Sequence, residues 1–326
     1  MKLPKLTFLA ISICISCISC TRESNPVSNP TKNESEILVA FSDSYNNPIF
    51  TQSDSPNNPY LGVASSFILR RQSTYQMWYT NWNDGKRFNV QYAESNDGLN
   101  WKSVQIAPVL SAGNLGEPDS YGVYGGPVFY EDSFYKMFYT GISGPDNESY
   151  IGLATSNDGL HWTKQANPII KESGKKYAAQ SFLKVGNLYI LYYSYTKINS
   201  QWGISIATSN DGNHWTQYAE DVFPITEYWE LPGPHFPSVI QFGNGYIMLY
   251  GSLSNMGFGL ATSSDGLHWH KANYNPVITS QMTRSFWSSQ LRYPFMTKFE
   301  NGYRLYYTGM KSNGTLAIGC ADLIIK

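Results

Sequence analysis

An all-β fold made of five repeats is what this 326-residue sequence predicts, on three observations. Aromatic residues make up 15% of the chain and charged ones 14%, with 27 Gly and 17 Pro. Short strands joined by turns fit that composition, and an all-helical bundle does not. Four segments superpose: QYAESNDGLNWKS, GLATSNDGLHWTK, SIATSNDGNHWTQ and GLATSSDGLHWHK. Their shared alanines are Ala93, Ala154, Ala207 and Ala261; a weaker fifth copy, AIGCADL, adds Ala321, at spacings of 61, 53, 54 and 60 residues. Ahead of each copy lies an aromatic strand: TYQMWYT, FYKMFYT, LYILYYS, GYIMLYG and GYRLYYT. Each repeat therefore offers four antiparallel strands, the last beginning at Trp. That is a propeller blade, and five repeats predict a five-bladed β-propeller.

The first 36 residues stand apart from this pattern. Lys2 and Lys5 precede an uncharged apolar run from Leu6 to Ser19, too short to span a membrane. Residues 1–19 read as a secretory signal peptide. Ile18-Ser19-Cys20 resembles a bacterial lipobox, so Cys20 is the expected lipidation site and Cys17 the second candidate. Residues 20–36, polar with two prolines, would tether residues 37–326 to the extracytoplasmic face of a bacterial membrane. Cys320 is the one cysteine of that body, so no internal disulfide and no cysteine-built metal site is expected there. The chain has 23 Lys+Arg against 24 Asp+Glu, a net charge of −1, which speaks against a nucleic-acid partner. No cofactor is expected, and the oligomeric state is left open.

The repeats also predict how the ring closes. Trp101, Trp162 and Trp269 are followed six or seven residues later by Pro in APVL, NPII and NPVI, and Trp215 precedes Pro224 by nine. The fifth copy stops before its outer strand, but Phe41 precedes Pro48 by seven near the N-terminus. Residues 37–50 should complete blade five, with Phe41 in the Trp position, and so cover an open sheet edge.

The Ser-x-Asp-Gly-x-x-Trp turns, at Ser95, Ser156, Ser209 and Ser263, read as hairpin chemistry. Asp caps its own turn and Gly supplies positive φ. One chemistry is rarely copied into every blade, whereas a turn must be. His161, His214 and His268 in these turns should be exposed.

The A-T-S-x-D-G-x-x-W turns and the Y-x-M-W/F-Y-T strands resemble those of the five-bladed propellers of glycoside hydrolase families 43, 32/68 and 130. The resemblance covers roughly residues 37–326. It implies a carbohydrate ligand at the channel mouth, where the inner strands begin. The residues just before each inner strand align as Ser65, Gly126, Gln180, Phe236 and Tyr293, with Tyr124, His235 and Arg292 beside them. Family 43 places a base, a helper and an acid there, because inversion needs a protonated and an ionised carboxyl across the sugar. The matches to base and helper are Ser65 and Gln180. The acid's Glu-Gly-Pro-His becomes Gly233-Pro234-His235, with Glu230 two residues further upstream. Glu230 is thus the expected acid, and Glu117 or Asp119, in the loop entering blade two, the expected opposing carboxylate. Asp54 and Glu227 are further acids near that face. Arg292 with His235 resembles an anion-binding pair, as family 130 phosphorylases use for phosphate. Trp229, Trp287 and Tyr121 are candidate sugar platforms. Three readings stay open: a carbohydrate-active enzyme, a catalytically reduced glycan or partner binder, and a structural scaffold.

Overall fold

A computed structural model describes residues 37–54, 62–83, 87–144, 148–197, 200–254, 257–283, 290–300, 302–310 and 313–326. Cys20, the rest of residues 1–36, and Trp287 lie outside the described residues. No helix among the described residues is long and apolar enough to cross a membrane.

The strands form five four-stranded antiparallel blades. Blade one is Val63–Arg71, Thr74–Asn83, Arg87–Ser95 and Lys102–Ser103, and blade two is Gly122–Glu131, Phe134–Ile142, Ser149–Ser156 and Thr163–Lys164. Blade three is Tyr177–Val185, Leu188–Thr196, Trp202–Ser209 and Thr216–Ala219. Blade four is Pro234–Phe242, Gly245–Ser252, Gly257–Ser263 and His270–Lys271. Blade five is Gln290–Phe299, Gly302–Met310 and Leu316–Ile325, completed by the N-terminal strand Val39–Asp43.

The register confirms the closure. Repeat alanines 93, 154, 207 and 261 pair with Ser103, Lys164, Gln217 and Lys271, each two residues after its Trp. Ala321 pairs with Asp43, two residues after Phe41. The proline segments repeat as well. The N–H groups of Val109, Ile169 and Val277 donate to Val90, Ile151 and Phe258, and Ile49 donates to Ile318 at 3.0 Å in the same way.

The repeated turn works as a staple. In blade one, Ser95 Oγ accepts from the Gly98 N–H at 2.9 Å, and Asp97 Oδ1 accepts from the Leu99 and Asn100 N–H groups at 2.8 Å. Gly98 has φ +68, which costs a glycine nothing. The Trp101 indole donates to the Gly98 carbonyl at 3.2 Å, and the Tyr306 hydroxyl of blade five donates to it at 2.9 Å. Trp78 does the same for Gly159, and Tyr192 for Gly266, so a turn of one blade is tied to the aromatic strand of the blade before it. His161, His214 and His268 are exposed, as expected.

The final Thr or Ser of the aromatic strand makes a second tie. Thr308, Thr80, Thr140 and Ser194 accept from the N–H groups of Ser65, Gly125, Ala179 and Phe236 on the next inner strand, at 3.1–3.2 Å. Blade four has Gly251 at this position and so has no hydroxyl to offer blade five.

One sequence expectation is corrected here. Ser65, Gly126, Gln180, Phe236 and Tyr293 do not precede the inner strands; they lie inside them, where the ladder breaks register in every blade. Such a bulge re-aims a side chain. Ser65, Phe236 and Tyr293 carry φ of 52, 57 and 50. For rings as bulky as Phe and Tyr that is a strained conformation, of the kind retained where function requires it.

Candidate functional site

The bulges surround a cavity of about 380 Å³ at the mouth-side end of the channel. Ser65, Tyr124, Gln180, His235, Phe236 and Tyr293 all line it, so inner-strand residues from all five blades converge there. Phe88, Lys176 and Trp202 complete its wall. Its size is that of a small-molecule site.

The walls are aromatic. Tyr124 stacks on Phe88 at 4.4 Å. The Trp202 ring meets His235 edge-on at 4.2 Å, and Phe236 lies against Tyr293 at 4.3 Å. Within this setting His235 is 4% exposed, and neither ring nitrogen has a hydrogen-bond partner among the described residues. Burial, assisted by the nearby Arg292 charge, drags its pKa down to about 3. At neutral pH it is therefore an uncharged imidazole offering one donor and one acceptor. Burial also pushes the Tyr124 and Tyr293 phenols up, while Arg292 opposes the shift in both. Both remain hydroxyl groups that can donate to a ligand. The structure brings His235 and Arg292 near each other, but only Arg292 is charged, so they do not form a pair of cations. Its Nε and Nη2 donate to Gln290 Oε1 at 3.1 and 2.5 Å.

The expected carboxylates lie elsewhere. Glu230 is completely buried and does not line the cavity. Its Oε1 is 2.6 Å from Lys271 Nζ and accepts from the Tyr250 hydroxyl at 2.8 Å; Oε2 accepts from the Thr226 N–H at 2.8 Å. Burial works to raise its pKa, but Lys271, the Thr226 N–H and Tyr250 together outweigh it and hold the carboxyl below the usual range. A general acid must instead keep its proton near neutral pH. Asp119, 3% exposed, pairs with Lys164 beneath Tyr139 and Tyr150. Lys164 and Lys271 hold the same register position, and Tyr139 and Tyr250 the same place in the aromatic strand. Asp119 and Glu230 are thus two copies of one internal clamp, not two sides of a reaction centre.

The remaining candidates also have local partners. Glu117 accepts from the Asn114 N–H at 2.9 Å and caps its loop. Asp54 accepts from the Thr51 N–H at 2.8 Å. The Glu227 N–H donates to Glu230 Oε2 at 3.2 Å. Trp229 is no platform: it is 8% exposed and packs against Tyr250 at 5.5 Å. Tyr121 is exposed on the loop entering blade two. No Asp or Glu lines the cavity among the described residues; Asp84 and Asp146 lie outside them.

Phe88 and Trp202 escaped the sequence reading, yet a signal for them exists. Both stand five residues before the repeat alanine, as does cavity-lining Ser149 in blade two. The loop carrying Glu230 crosses directly over Trp202. A Cβ on Gly233 would fall 1.9 Å from the Trp202 carbonyl oxygen, so the crossing requires glycine.

Five bulged inner strands around an aromatic cavity make a five-bladed propeller that is similar to those of glycoside hydrolases, with partial matches to families 130 and 32. Residues 177–325 match the family 130 profile, described as beta-1,4-mannooligosaccharide phosphorylase, and residues 66–182 match the glycosyl hydrolases family 32 N-terminal domain. The chain is 26% identical over 216 residues to the uncharacterized protein Rv1502 of Mycobacterium tuberculosis, covering 61% of this chain and 71% of that one. It superposes on a glycosyl hydrolase from Bacteroides ovatus with TM-score 0.68 at 17% identity, covering 87% of this chain and 93% of that one. For the beta-1,2-mannobiose phosphorylase of Listeria innocua, solved with beta-1,2-mannobiose, the TM-score is 0.67 at 14% identity, over 86% of this chain and 96% of that one.

Proposed function

We propose that the protein binds the end of a glycan in its axial cavity, and that recognition rather than hydrolysis is its primary task. The observation that carries this reading is His235. A buried, neutral imidazole with both nitrogens unpartnered among the described residues, set among aromatic walls, suits neighbouring sugar hydroxyls. Hydrolysis would need two carboxyls facing one another across the ligand, and the candidate acids Glu230, Asp119, Glu117 and Asp54 serve internal clamps and caps instead.

Calorimetric titration of the purified chain with a panel of oligosaccharides tests the reading. Trp202→Ala is expected to weaken the best ligand roughly five- to tenfold through lost ring contact. Trp229→Phe, away from the cavity, should leave affinity unchanged. If Trp202→Ala binds every sugar as the unaltered protein does, the cavity is not the site.

A second reading, phosphorolysis, is favoured by the family 130 match, by Lys176 in the cavity wall and by the Arg292 charge acting on His235, Tyr124 and Tyr293 of that wall. Release of a sugar phosphate from a bound oligosaccharide in inorganic phosphate would establish it.

The proposal includes placement in the cell envelope through a lipid on Cys20. Membrane-fraction protein should partition into detergent, and Cys20→Ala should release it or leave it unprocessed. Acyl chains persisting on that variant would move the anchor to Cys17 or end the lipoprotein assignment.

A further inference from the structure

We propose that the ligand is an acidic oligosaccharide, running from the axial cavity past Trp202 into a lysine-rich groove on blade three. This rests on the glycan-binding reading above and specifies its ligand.

The groove is a second hollow of about 400 Å³, and it shares Lys176 and Trp202 with the axial cavity. The two spaces thus meet at one aromatic ring and one ammonium. Lys175 and Lys197 also line the groove but are already paired: Lys175 with Glu172 at 3.0 Å and Glu220 at 3.4 Å, Lys197 with Asp221 at 2.5 Å. Lys176 differs from its neighbours. It has no acidic partner among the described residues, although its backbone is held on both sides by Thr196. Its N–H donates to Thr196 Oγ1 at 2.9 Å, and its carbonyl accepts from the Thr196 N–H at 3.0 Å.

Beside blade five the pattern repeats. Arg292 is held by a neutral amide, Gln290, and its charge acts on His235, Tyr124 and Tyr293 in the cavity wall. Lys176 thus lines both hollows and Arg292 acts electrostatically on the wall of the axial one, and among the described residues no carboxylate pairs with either half-buried cation. A cation taken partly out of water without a counter-charge is unfavourable, and a ligand anion would relieve it. Charge-assisted contacts of this kind are among the stronger ones available. The Trp202 ring, which lines both hollows with Lys176, suits a sugar face, so the anion should be carried by the sugar as a carboxylate or a sulfate ester.

The test titrates the full chain with trigalacturonate, a sulfated galactotriose, neutral galactotriose and inorganic phosphate. At least one acidic trisaccharide is expected to bind roughly tenfold more tightly than the neutral one, with the advantage shrinking as salt rises. The tighter of the two names the charged group. Lys176→Ala should remove most of that advantage and leave neutral binding nearly intact, while Lys102→Ala on the outer strand of blade one should change nothing. Equal affinity for acidic and neutral trisaccharides, at any salt, overturns this inference and leaves glycan binding standing. No binding of any trisaccharide overturns both. Inorganic phosphate that binds alone and cancels the acidic advantage assigns the cations to a free anion and also overturns the inference. The salt series needs no variant, so poor folding of Lys176→Ala would not spare the proposal.

Discussion

Replacing Lys271 by Ala is expected to lower the free energy of unfolding by about 3–5 kcal/mol, because it strands the fully buried Glu230 carboxylate. Glu230→Gln should also destabilise, since the amide keeps its shape but leaves Lys271 without a counter-charge. Exchanging both partners together, as Glu230→Gln with Lys271→Met, should recover much of the loss. The acid dependence has a definite sign. The folded-state pKa of Glu230 is depressed, so its contribution is present above the ordinary carboxylate pKa and disappears as pH falls through the folded value. Urea melts at neutral pH and near pH 3 measure both effects. A Glu230→Gln protein that melts like the unaltered chain yet loses activity on a confirmed substrate would return Glu230 to the reaction.

Deleting residues 37–50 is expected to abolish folding, whereas deleting 21–36, read from sequence as a tether, should leave the melting temperature in place. The first deletion strips a whole strand from Leu316–Ile325 and removes Phe50 and Ile49 from the interior. Each large apolar side chain contributes roughly 1.5–3 kcal/mol, against a total stability of about 5–15 kcal/mol. The exposed edge would also recruit other chains. Circular dichroism and light scattering on the two truncations decide the matter; matching melts would refute N-terminal closure.

The fold was legible because each blade repeats the same spacing, down to the pairing of Ala321 with Asp43, two residues after Phe41. The site was legible in part. Alignment on the inner strands found Tyr124, Gln180, His235, Phe236 and Tyr293, since the bulges that aim them repeat as well. The acids were misread because a buried clamp and a general acid look alike along the chain: a carboxylate in a loop before an inner strand. What separates them is Lys271, 41 residues beyond Glu230, and Lys164, 45 beyond Asp119. That pairing exists only once the outer strand folds back. Trp202 and Lys176 were missed for a related reason, as they reach the cavity from strand ends, where Trp202 is marked only by its five-residue offset from the repeat alanine.

Asp43 has a consequence for how the chain finds its partner during folding. It occupies the register position of Lys164 and Lys271 but bears the opposite charge, and it accepts from the Tyr307 hydroxyl at 2.5 Å. Nearly identical blades invite a loose strand to dock on the wrong one. Placed on blade two or four, the N-terminal strand would press Asp43 against Asp119 or Glu230 and deprive that acid of its lysine. Two carboxylates sharing a buried space repel each other strongly. The swapped sign therefore works as an address label: among five look-alike docking places, it rejects at least two and helps direct the strand to blade five.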